Sequence, residues 1–182
     1  MRLILAALLQ LLLLAPASGQ ICLGLGNDGK CTGLSLDGLS EGERETNGIQ
    51  LCAISEGSSC NGLSIGFLPS ARLNGLAIGP IVVLDKANGI VIGGFVGGLG
   101  YIGPLDSQTG MLNGLAIGAT SSTGTLNGVS IAMLNTVTKQ RGAAIGILNQ
   151  ASELHGLQIG MINYVANNPA WLRYLPLLNF HL

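Results

Sequence analysis

Apolar and polar positions along this chain alternate in short bursts, and each burst restarts on a glycine. Counting that glycine as position zero, the copies begin at Gly33, Gly48, Gly62, Gly75, Gly89, Gly114, Gly128, Gly142 and Gly156. Position one is Leu34, Ile49, Leu63, Leu76, Ile90, Leu115, Val129, Ala143 and Leu157. Position three is Leu36, Leu51, Ile65, Ile78, Ile92, Ile117, Ile131, Ile145 and Ile159. Between them stand small or polar residues, from Ser35 and Gln50 to Ala144 and Gln158. Period two predicts a strand with one aliphatic face, and β-branched Ile fits a strand. Glycine at this density argues against helix, where each would cost roughly 1 kcal/mol. The expected arrangement puts the aliphatic face inside.

Position four is glycine at Gly66, Gly79, Gly93, Gly118, Gly146 and Gly160, which predicts a bend or a close backbone approach. Asn47, Asn61, Asn74, Asn88, Asn113 and Asn127 each precede a position-zero glycine, and Asn-Gly predicts a turn. Asn135, Asn149 and Asn163 recur at position seven and predict a stacked amide ladder in a turn. No unit buries its face alone, but stacked units do. The expected fold is therefore all-β, a β-solenoid-like stack of about ten 14-residue repeats. The alternative is a small antiparallel outer-membrane β-barrel. Against it, the regular strand is short and the seven aromatics are too few for two girdles.

Around this core the chain divides into four stretches. Residues 1–19 read as a secretory signal: Arg2, an apolar run from Leu3 to Leu14, and the small-x-small site Ala17-Ser18-Gly19. Residues 20–60 read as a cysteine-containing cap with the first repeats. Residues 61–168 are the glycine-rich repeats, with a degenerate copy starting at Leu99 inside the long gap before Gly114. Residues 169–182 read as a diverged capping repeat carrying Trp171, Tyr174, Pro176 and Phe180, its aromatics covering the last layer.

Cys22, Cys31, Cys52 and Cys60 all lie in the first third. Export makes disulfides the default, and three pairings are open; Cys22–Cys31 with Cys52–Cys60 closes the shortest loops. A zinc site is disfavoured because no CxxC pair exists. The acidic residues from Asp28 to Glu56 read as a solvated surface. Gly24 to Cys31 mimics a nucleotide-binding loop, but a glycine-rich β segment follows where a helix is required.

Charged residues are only 9% of the chain and its net charge is −1, with no basic cluster for nucleic acid. His155 stands where other copies carry the turn Asn, and no serine has a matching His and acid. Neither a catalytic residue nor a metal or other cofactor is expected. The Gly-Leu-x-Ile-Gly units followed by Leu-Asn or Ile-Asn, closing on Leu175-Pro176-Leu177-Leu178-Asn179-Phe180, resemble bacterial surface-repeat proteins of the leptospiral type. The resemblance covers about residues 47–182 and is strongest in Gly142–Asn149 and Gly156–Asn163. It implies an exported, non-enzymatic protein at the cell surface or outer membrane of a Gram-negative bacterium. The partner expected is an unknown surface partner, with outer-membrane association and self-association through the solenoid edges as further possibilities.

Overall fold

The computed structural model describes residues 20–24, 29–41, 44–69, 72–98 and 110–181. The expected signal sequence, the centre of the nucleotide-loop mimic and the expected Leu99 copy lie outside them.

The chain is a β-solenoid: one sheet in the order β1 to β8, with no barrel closure. The strands are β1 (Gln20–Gly24), β2 (Gly29–Glu41), β3 (Arg44–Glu56), β4 (Ser59–Leu68), β5 (Arg72–Val83), β6 (Lys86–Gly97), β7 (Met111–Val165) and β8 (Tyr174–His181). From β1 to β7 every pairing between neighbours is parallel, so the antiparallel barrel alternative fails. Register follows the sequence repeat. Gly33 pairs with Gly48, Gly48 with Gly62, Gly62 with Gly75, Gly75 with Gly89 and Gly89 with Gly114. The last pairing joins β6 directly to β7 across the long gap. At the start, Gln20 pairs with Gly33, so the stretch expected as a cap is already coiled into layers.

Burial corrects a larger expectation. The residues at position two are buried: Ser35, Gln50, Ser64, Ala77, Val91, Ala116, Ser130, Ala144 and Gln158. The position-three residues point outward, eight of the nine being exposed and Ile78 half-buried. The aliphatic face is therefore outside.

Inward and outward residues alternate from three residues before the glycine to position five. Position six then points outward like position five, and alternation resumes with position seven inside. A second slip precedes the next copy. Each coil is thus flattened, with a long arm, a short arm and a corner at each slip.

The interior is narrow and its polarity is matched across most coils. Positions two and seven meet: Gln50 Nε2 donates to Ser55 Oγ at 3.2 Å, and Ser130 Oγ to Asn135 Oδ1 at 2.6 Å. Both positions are apolar at Ala77 with Val82 and at Val91 with Val96, and these four join the main core cluster, whereas Ala116 and Ala144 share their coils with Ser121 and Asn149 at position seven. That cluster is completed by Leu73, Leu112 and Leu126, two residues before their glycines, with Leu84 and Val137 at position nine.

The two glycine columns are enforced by the layer spacing. A Cβ on Gly128 (φ +141°) would lie 2.1 Å from the carbonyl oxygen of Gly114, and one on Gly146 would lie 2.0 Å from that of Ala132. The position-zero glycine is therefore not in a turn. It sits within the long arm, at a backbone conformation that only glycine adopts readily.

Strand β8 corrects the reading of the tail as a diverged copy. After a short 3-10 turn (Ala170–Leu172) it runs antiparallel to the end of β7. Leu178 pairs with Ile159 and Phe180 with Leu157, while Asn179 pairs with Gln158. Paired residues share a face, so Leu178 and Phe180 prolong the outer columns, and buried Asn179 prolongs the interior. Trp171, Tyr174 and Phe180 are exposed; the tail covers the open strand edge by backbone pairing, without an aromatic lid.

Candidate functional site

The outer surface of the long arm is the feature to which the fold gives most area. Its position-three column runs from Leu36 through Ile65, Ile92, Ile117 and Ile145 to Leu178. Beside it stand the position-one column, half-buried except for exposed Ile90, and the exposed corner residues Phe67, Met133, Leu134, Ile147, Met161 and Ile162. At about 4.8 Å per layer and about 3.3 Å per residue, this face measures roughly 50 by 15 Å, on the order of 700 Å². A soluble monomer rarely leaves so large a contiguous apolar patch in water.

The other edge of the same arm is polar. Asn47, Asn61, Asn74, Asn88, Asn113 and Asn127 form an outward amide ladder, each Nδ2 donating to the preceding Oδ1 at 2.7–2.8 Å. These residues were expected in turns; they lie within the arm instead, because their glycines do. Two residues earlier comes a charged column: Lys30, Glu45, Ser59, Arg72, Lys86, Met111, Thr125, Lys139 and Glu153. Lys30 and Glu45 pair at 2.9 Å, and Lys139 and Glu153 at 3.5 Å. The contact raises the Lys30 pKa and lowers that of Glu45, through their hydrogen bond and then their mutual charge. Among the described residues Arg72 and Lys86 have no carboxylate within ion-pair distance. They border an open groove of about 700 Å³ with Asn61, Asn74 and Asn88.

The second amide ladder forms as expected, but inside. Asn135 Nδ2 donates to Asn149 Oδ1 at 2.8 Å, Asn149 Nδ2 to Asn163 Oδ1 at 2.7 Å, and Asn163 Nδ2 to the Leu175 carbonyl at 3.2 Å. Its amides bond to one another and to their own and neighbouring coils, while elsewhere in the interior, among the described residues, the Thr46, Ser121 and Thr123 hydroxyls and Gln158 Oε1 are buried without a partner.

The first coils enclose a charged network. Asp37 is buried, contrary to its reading as a solvated carboxylate. It pairs with Arg44, accepts from Ser35 Oγ at 2.8 Å, and accepts from Gln50 Nε2 at 3.4 Å. Such a pair, once desolvated, costs about 3–5 kcal/mol to break from one side. Cys22 and Cys31 form a disulfide with Cα atoms 6.2 Å apart. Cys52 and Cys60, expected to pair, are buried free thiols. They belong to different columns, Cys52 at position four and Cys60 two residues before a glycine. Burial pushes each thiol pKa up to about 11, helped at Cys52 by the charge of Asp37 and at Cys60 by Cys52. Neither is a poised nucleophile, since the reactive species is the thiolate.

His155 and His181 meet edge to face at the last layer, ring centroids 6.0 Å apart, and the His181 Nδ1 lies 2.6 Å from Asn168 Oδ1. Among the described residues no three His, Cys, Asp or Glu side chains are grouped to hold a metal ion, and no helix is long and apolar enough to cross a membrane. Comparison with family models, with curated proteins and with solved structures yields no match.

Proposed function

We propose that this chain is an exported, non-enzymatic surface protein of a Gram-negative bacterium, and that its work is docking through the aliphatic face of the long arm. The observation that carries the reading is the outward column from Leu36 to Leu178, which leaves large aliphatic side chains in water along the whole stack. The repeating layers support a structural or interaction role, because chemistry requires different side chains converging on one point, whereas here the position-three column carries Leu or Ile in every copy. The apolar run before Gln20 and the disulfide in the first coils are consistent with export.

Expression with its own leader in a Gram-negative host tests this. The mature chain is expected to start near Gln20 by intact mass, to sediment with the outer membrane, and to require detergent for release. A chain that retains residues 1–19, or one recovered as a detergent-independent periplasmic monomer, overturns the reading.

A further inference from the structure

The partner of this face can be narrowed by its pattern. A protein partner is recognised by uneven relief, with pockets that fix one register. Here the relief repeats every layer: Ile117, Ile131, Ile145 and Ile159 follow one another in one column. Along that column, sliding a partner by one layer changes little, so the column itself carries no register. A fluid surface needs none.

The cations show the same ordering. Lys30, Arg72, Lys86 and Lys139 lie three residues before their glycines, and Arg141 lies one before. Apart from Arg173 in the tail and the buried Arg44, these are all the Lys and Arg among the described residues. Among the described residues they share their edge with Glu45 and Glu153, with Asp85 at the adjoining corner, which leaves that set with an excess of positive charge. The unpaired Arg72 and Lys86 stand at the open groove beside the aliphatic columns.

We propose that the long-arm face seats on an anionic lipid surface. The Ile and Leu columns lie against the upper acyl chains, while Arg72, Lys86 and the amide ladder receive phosphate-bearing headgroups. An apolar expanse flanked by Lys and Arg is the chemistry that holds a peripheral protein in the interface plane. A second copy meets the same objection as any protein partner, because the repeating aliphatic column fixes no register for it. This inference rests on the docking role proposed above and names its partner.

The test is flotation of the exported chain with phosphatidylcholine vesicles, with and without phosphatidylglycerol. The chain is expected to float with both, more tightly on the anionic vesicles, and salt should reduce the difference. Arg72→Gln with Lys86→Gln should weaken binding to anionic vesicles about fivefold for each cation removed and leave phosphatidylcholine binding unchanged. Ile92→Ser, Ile117→Ser and Ile145→Ser together should abolish flotation on both, with the far-ultraviolet circular dichroism retained. Flotation of that triple variant at the wild-type level overturns the proposal. So does a wild-type chain that stays unbound, whether monomeric or as a dimer that the same Ile substitutions dissociate. Failure here with detergent-dependent outer-membrane recovery intact would remove the lipid partner and leave the docking role standing.

Discussion

Placing one methyl group on the position-zero column should do disproportionate damage. Gly128→Ala is the cleanest case. Its Cβ would sit 2.1 Å from the Gly114 carbonyl oxygen, 2.9 Å from the carbonyl carbon and 3.0 Å from the nitrogen, all backbone atoms of the layer beneath. No side chain can rotate away to make room. The residue also holds φ at +141°, where an L-residue is strained by about 1–3 kcal/mol. Overpacking against a fixed neighbour adds about 1–3 kcal/mol. Alanine's stiffer unfolded chain returns about 0.4–1 kcal/mol. The expected net loss is roughly 3 kcal/mol.

Urea titration followed by circular dichroism measures it. With a slope of about 2 kcal/mol per molar urea, the midpoint should fall by roughly 1.5 M. Ala119→Val is the matched control, because Ala119 is exposed at position five of the preceding coil. It should stay within about 0.5 kcal/mol of wild type. If both variants shift the midpoint equally, the glycine column is not set by contact between layers and the assigned stacking is wrong.

The inner and outer amide ladders should differ in the same assay: Asn149→Ala should cost about 2–3 kcal/mol by orphaning buried amides, and Asn88→Ala under about 1 kcal/mol. Thiol labelling of denatured, unreduced protein should find two reactive cysteines, and the native protein none. An acid whose pKa is raised on folding keeps its stability below the unfolded value, 9.0 here, and loses it as pH climbs toward about 11. Stability should therefore fall between those values by on the order of 2 kcal/mol per thiol. Cys52→Ala with Cys60→Ala should flatten the fall, and an unchanged fall would show that the thiols are not its source. Removing residues 169–182 uncovers the edge from Gly156 to Tyr164, so light scattering should show self-association that rises with concentration; a monomeric truncation would mean that β8 protects nothing.

The period, the parallel stack and the copies' register were legible because glycine marks every layer. Which face lay inside was not. Alternation defines two faces and is silent on their direction, and the aliphatic one was assigned inward by analogy with an ordinary core. Volume decides otherwise. Six of the nine buried position-two residues are Ser or Ala, so the interior takes the smaller column and the row of Leu and Ile stands outside. The signal that could have shown this is the matching of positions two and seven in most copies, as in Gln50 with Ser55 and Val91 with Val96. Such matching has no cause unless the two positions face each other. The Asn-Gly pairs misled for a related reason: positive φ is common in turns, but it also relieves close layer contact within a strand. The Cys52–Cys60 pairing failed because closeness in sequence did not put the two in one column.

Outward Ile does not forfeit its burial. Ile145 and Ile159 remain only 38% and 40% exposed, because each is flanked by the layers above and below. The column shields itself, so stacking stabilises the fold before any partner arrives, by about 1 kcal/mol per layer. A coil can then be removed if every column still meets like with like. Deleting residues 128–141 joins Asn127 to Gly142, and Ile117 then stacks beneath Ile145. The deletion also removes Asn135 and Lys139 with their contacts to Asn149 and Glu153, and one further lost contact can be tested by sign. Gln158 Nε2 donates to Gln140 Oε1 at 3.1 Å inside the coil, and the deletion puts Leu126 where Gln140 stood. The shortened chain should fold with a buried amide left unpaired, at a cost of about 1–3 kcal/mol. Gln158→Ala should recover about 1–2 kcal/mol in the shortened chain, yet destabilise the full chain by about 1 kcal/mol. Such a reversal of sign requires residues 140 and 158 to meet in adjoining layers. A Gln158→Ala effect of the same sign in both chains would mean that the interior columns are not built as described.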